Sequence, residues 1–184
     1  MGIELVFETH SWSEDNDLGL ATGWLPGKLS ERGRELAAQL GERRRDNGIT
    51  AVFTSDLYRA VETATIAFDG SEVPILHDWR LRECDYGRLN GMPAAQLHQH
   101  KQAHLDHPYP GGESWRQAIA RVNGFLDDLP SRWSGQRILV IGHVATAWAI
   151  EERVNGVPLE HQITHPFAWR EGWEYRLQNR TSEG

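Results

Sequence analysis

The sequence predicts an α/β fold: a three-layer α/β/α sandwich with a mainly parallel central sheet. Three observations predict it. Short apolar runs recur at residues 3–8 (IELVFE), 51–54 (AVFT) and 137–141 (RILVI), and each is tied to a stretch with helical periodicity. The run at 137–141 lacks clean alternation, as suits a strand buried on both faces. No repeat and no low-complexity linker divides the 184 residues, so the chain reads as one domain over 1–184.

The elements follow in order. After the first strand, Leu36, Ala37 and Leu40 line one face of a helix from about Ser30 to Arg45. After the second, Ala60, Ala64 and Ala67 lie on a helix beginning near Asp56. Residues 81–112 are irregular and rich in Gly and Pro; they predict a long excursion bordering a pocket, with a short helix near 93–104. Ser114 and Gln117 form a capping box that opens a longer helix through Ile119, Val122, Leu126 and Leu129. Ala147 and Ile150 belong to a helix starting just after Gly142. FAWREGWEYRLQ alternates as a hairpin or edge strands about Glu171–Gly172, and the final NRTSEG is expected to fray.

Composition excludes several classes. With 39% hydrophobic residues the chain can bury a core, and a net charge of -7 argues against nucleic acid or an anionic membrane as the main partner. Cys84 is the only cysteine, which excludes an internal disulfide and a cysteine-only metal site. No apolar stretch approaches the roughly 18 residues of a membrane span, and MGIELVFETH does not read as a signal peptide; a cytoplasmic protein is expected.

In an open α/β sheet, ligands bind beyond the carboxyl ends of the strands. His10 follows the first strand there, Arg59 lies in the first turn of the helix after AVFTSD, and His143 follows the third strand. Together with free N–H groups at helix N-termini, they describe a pocket for a phosphate or carboxylate. Each also has a structural alternative: a loop histidine bonded to a carbonyl, Arg59 paired with Glu62, Glu83 paired with Arg80 or Arg82.

Four motifs then resemble the histidine phosphatase superfamily, the family of the cofactor-dependent phosphoglycerate mutases. They are THS at 9–11, with Asn16, ATGW and KLSERG after it; SDLYRAVETA at 55–64; LRECDYGRLNG at 81–91; and LVIGHVA at 139–145. The resemblance covers about Glu4 to Trp148 and implies a phosphoglycerate mutase-like fold and no cofactor or metal. It makes His10 the nucleophile that forms a phosphohistidine, Arg59 a ligand of the phosphoryl oxygens, and His143 a donor to the transferring group. It makes Glu83 the general acid for the leaving alcohol and then the base for water, and Asn16 a residue of the phosphate pocket. The implied activity is hydrolysis of a small anionic phosphorylated metabolite, with water favoured over a mutase acceptor because the chain is short. Oligomeric state is left open, with a homodimer as the expectation.

The motif departs from the family at Thr9, where an arginine grips the phosphate, at Ser11 in place of glycine, and more loosely at Leu20. A threonine hydroxyl is neutral, whereas arginine supplies a permanent charge and a rigid fork of donors. Lys28 or Arg82 is expected to cover the missing charge; otherwise the substrate is less charged, or the chain is a non-catalytic relative binding an anionic metabolite or partner protein. Trp12 and Trp24 are expected to wall the leaving-group side, while Trp115, Trp133, Trp148, Trp169 and Trp173 complete the core or a subunit contact. His98, His100, His104 and His107 read as a polar segment bordering the pocket rather than as zinc ligands.

Overall fold

The computed structural model describes residues 2–178; the NRTSEG tail lies outside them. In chain order the elements are β1 (Ile3–Thr9), α1 (Glu14–Asp17), α2 (Glu31–Arg44), β2 (Ala51–Thr54), α3 (Tyr58–Ala67) and β3 (Ile75–His77). There follow α4 (Ala94–His100), α5 (Trp115–Asp128), α6 (Pro130–Trp133), β4 (Arg137–Gly142), α7 (Val144–Asn155), α8 (Leu159–Gln162) and β5 (Trp173–Leu177). The strands form one sheet in the order β3-β2-β4-β1-β5, parallel throughout except for the antiparallel edge strand β5.

The period of two in each strand divides the core between two layers. Ile3, Leu5, Phe7, Phe53, Ile138 and Val140 face α5 and α7, while Val6, Val52, Leu139 and Ile141 pack with Leu40, Ala64 and Ala67 of α2 and α3. The result is a three-layer α/β/α sandwich. Local signals start the helices as expected: Ser30 caps α2 by accepting from the Gly33 N–H, and Ser114 and Gln117 form the reciprocal box on α5. Gly33 also lets the helix meet the loop after β1, because a Cβ there would collide with the Trp12 carbonyl.

Of the hairpin or edge strands expected at the chain end, the structure has one edge strand, β5, against β1, and Gly172, with a positive φ of 78°, serves the turn into it. The three-residue edge strand β3 was not anticipated. Its residues are half-buried or exposed, so they carry no strong apolar pattern. Among the described residues, no helix is long and apolar enough to cross a membrane.

Candidate active site

Sheet order assembles the site. Because β4 lies between β2 and β1, the residues after these three parallel strands (Ser55, His143 and His10) meet at one end of the sheet. The His10 and His143 rings are 5.1 Å apart, and Arg59, from the first turn of α3, reaches both. Its Nε donates to His10 Nε2 at 3.4 Å, and its Nη2 lies 3.3 Å from His143 Nδ1. The same guanidinium donates to the carbonyls of Leu25 (2.8 Å) and Gly23 (2.9 Å), which lock it in place although it is only 2% exposed. Glu62, the alternative partner for Arg59, instead accepts from the Leu29 N–H and pairs with Arg34.

The hydrogen-bond partners assign the His10 tautomer. Nδ1 is 2.7 Å from the Ser11 carbonyl, which only accepts, so Nδ1 carries the proton and Nε2 keeps its lone pair. Burial, and next the Arg59 charge, push the His10 pKa down to about 3, against the pull of the Ser11 carbonyl. The imidazole is therefore neutral at physiological pH. Ser11 braces this turn: its N–H donates to Thr63 and its hydroxyl to the Gly33 carbonyl.

His143 is buried, and burial with the neighbouring Arg59 and His10 holds its pKa well below the ordinary value. Its Nε2 is 2.7 Å from the Ser55 hydroxyl. Since Arg59 can only donate, Nδ1 accepts from it and Nε2 donates to Ser55 in this arrangement. A hydroxyl can reverse its role, so Ser55 permits either tautomer.

Glu83 is buried at the N-terminus of α7. Its Oε1 accepts from the N–H groups of Cys84 (2.9 Å) and Ala145 (3.1 Å), and Oε2 accepts from Val144 (3.2 Å). Burial raises its pKa, with these hydrogen bonds and Arg59 opposing. This corrects the expectation of free N–H groups at this helix start, because two of them belong to Glu83.

His10, Arg59, Glu83, His143, Asn16, Thr9 and Trp12 line one cleft of about 650 Å³. Asn16 closes the capping box that Ser13 opens on α1: its Oδ1 accepts from the N–H and hydroxyl of Ser13. Thr9 ends β1 with its Oγ1 accepting from the Trp169 indole at 3.1 Å. Three predicted residues lie outside the lining. Lys28 pairs with Glu14 at 3.2 Å in solvent. Arg82 forks onto Asp56 (2.7 and 2.6 Å) and stacks on Trp24, whose indole donates to the Glu83 carbonyl at 2.7 Å. Trp24 therefore supports the Glu83 loop and does not wall the cleft.

Three residues were missed. Ser55 opens the SDLYRAVETA motif, the one local signal that pointed to it. Arg32, in the first turn of α2, lines the cleft over the Trp12 ring (5.2 Å) and makes no ion pair among the described residues. Trp169, expected in the core, is 60% exposed and lines the cleft, whereas Trp115, Trp148 and Trp173 are buried as expected and Trp133 packs at the core edge. His98 lines the cleft, while His104 stacks on Tyr109. Among the described residues, no group of three or more His, Cys, Asp and Glu is arranged to hold a metal ion.

Comparison with known proteins places the family and the fold. Residues 6–169 match the sequence profile of the histidine phosphatase superfamily (branch 1). The chain is 32% identical to the 2,3-bisphosphoglycerate-dependent phosphoglycerate mutase of Neisseria gonorrhoeae, covering 84% of this chain and 86% of the relative. Among solved structures it is similar to Bacillus stearothermophilus YhfR (TM-score 0.81, 26% identity, 92% of this chain and 88% of that one). It is also similar to the alpha-ribazole phosphatase of Shigella flexneri (TM-score 0.77, 25% identity, 88% and 84%).

Proposed function

The chain belongs to branch 1 of the histidine phosphatase superfamily, and from that premise we propose that it is a metal-independent phosphomonoester hydrolase acting on a phosphorylated metabolite through a phosphohistidine at His10. The observation that carries the reading is the His10 tautomer: a neutral ring whose Nε2 lone pair stands beside Arg59 and His143.

The chemistry runs in two displacements. Nε2 of His10 attacks phosphorus, the Nε2–P bond forms, and the P–O bond to the alcohol breaks. Glu83, whose pKa burial raises, gives its proton to the departing oxygen. Water then attacks phosphorus, loses a proton to Glu83, and inorganic phosphate leaves as the Nε2–P bond breaks. Arg59 and His143 face the equatorial oxygens, where transition-state charge collects. For His143 to donate there, the Ser55 hydroxyl turns to donate to Nε2 and the ring proton moves to Nδ1. The phosphoryl oxygens then satisfy two neighbouring donors, Arg59 Nη2 and His143 Nδ1.

The remaining question is charge. If Thr9 replaces the family's motif arginine, neither Lys28 nor Arg82 is free to cover it, since both are tied to acids outside the cleft. Arg32 is the better candidate. Thr9→Arg is expected to raise kcat/KM on a small phosphomonoester roughly tenfold and to tighten vanadate inhibition, as one charge-assisted hydrogen bond would. Arg32→Ala should lower kcat/KM by about tenfold, while Lys28→Ala changes it less than twofold. Steady-state kinetics check both; a loss in Lys28→Ala equal to that in Arg32→Ala would return the role to Lys28.

The test of the function is phosphate release from a panel of sugar, carboxylated and nucleotide-derived phosphomonoesters, with a chelator present. Release from at least one is expected. The similarity to curated mutases favours a second reading, phosphoryl transfer between metabolites; isomerised phosphoglycerate without free phosphate would establish it. No turnover, with one anionic ligand bound at this site by calorimetry, would leave a non-catalytic binder.

A further inference from the structure

We propose that the cleft selects phosphomonoesters whose alcohol carries a large flat aromatic group, held against Trp12 and Trp169. This names the substrate class of the same site and rests on the phosphatase reading above.

The first observation is a pair of exposed indoles that line one cleft with His10. Trp12 is 39% exposed and Trp169 60% exposed, among the few large apolar side chains the fold leaves in solvent. Neither ring is loose. The Trp12 indole donates to Asp17 at 2.6 Å, and the Trp169 indole donates to Thr9, the residue before His10, at 3.1 Å. A ring already fixed has little side-chain entropy to lose when a ligand stacks on it. Arg32 lies over Trp12 at 5.2 Å and brings positive charge to the same wall.

The second observation is the apolar lining beyond the two indoles. Leu20, Ala21, Leu36, Trp115, Trp148 and Phe167 line the same cleft. A sugar or polyol would bury hydroxyls against these side chains, and an unpaired buried hydroxyl is costly. An aromatic group meets no such cost. The size agrees: about 650 Å³ lies within the roughly 300–1,000 Å³ of clefts that enclose drug-sized ligands.

The test compares 2-naphthylmethyl phosphate with ethyl phosphate. Both release an alkoxide oxygen, so chemistry alone does not favour the larger ester. The naphthylmethyl ester is expected to show a kcat/KM about 10- to 100-fold higher, mainly through KM, from burial of its rings. That ratio should fall about tenfold in Trp169→Ala and in Trp12→Ala and recover in Trp169→Phe, with thermal melting showing that each variant folds. Equal kcat/KM for the two esters, or a ratio unmoved by both alanine variants, would overturn the proposal. The phosphatase reading fails separately. If neither ester turns over, calorimetry with 2-naphthylmethylphosphonate and methylphosphonate still decides: tighter naphthyl binding, lost in both alanine variants, supports the aromatic site, and equal binding removes it.

Discussion

His10→Ala is expected to lower turnover of any phosphomonoester substrate by about 10⁴-fold or more, the loss that follows removal of a covalent nucleophile. Rapid quench with labelled substrate should trap an acid-labile, base-stable phosphoprotein in the wild type and none in the variant. The effect should be large because the neighbouring His143 is not free to replace it. His143 is only 1% exposed, with its two ring nitrogens engaged by Ser55 and Arg59. The variant should still fold. Arg59 keeps its bonds to the Gly23 and Leu25 carbonyls, and the truncation removes only two bonds, from Nδ1 to the adjacent Ser11 carbonyl and from Arg59 Nε to Nε2. Wild-type turnover in His10→Ala would sink the assignment of the nucleophile.

Glu83→Gln should separate leaving groups. General acid catalysis contributes about 10²–10⁴-fold, so hydrolysis of an alkyl phosphate should fall by that factor. p-Nitrophenyl phosphate, whose phenolate departs unaided, should lose far less. The pH profile adds a sign. The acid form of Glu83 is the competent one, and its pKa is raised by burial. On an alkyl phosphate, kcat/KM should therefore decline as pH rises through that pKa, and the decline should vanish in Glu83→Gln. His10, with its pKa at about 3, adds no limb near pH 6.5, where an ordinary histidine would. The amide replaces one acceptor oxygen by a donor facing the N–H groups of α7, so thermal melting must accompany the kinetics. An equal loss on both substrates would make Glu83 a structural residue and turn attention to Asp85, which accepts from the Gly87 N–H and the Asn90 amide.

Much of the fold was legible because its signals are local. An apolar run such as RILVI reads as buried strand wherever it sits, and Ser114 with Gln117 caps a helix through atoms three residues apart. Edge elements were harder. Strand β3 is short and half-buried, and the alternation of WEYRL is the same whether it pairs with a hairpin partner or with β1.

The sequence by itself determined the class of the protein through four short motifs in a given order, and these single out His10, Arg59, Glu83 and His143 as candidates. Only the tertiary structure decided what each of them is free to do. The order β2-β4-β1 brings Ser55 against His143, the N-terminus of α7 is taken by Glu83, and Lys28 and Arg82 are spent on Glu14 and Asp56. It also stands Trp169 on Thr9, 160 residues away in the chain. The physical reason is one of range. Periodicity, capping and turn chemistry act over a few residues and are written locally, whereas the partner of a charge or an indole is whatever the folded topology brings within about 3 Å of it.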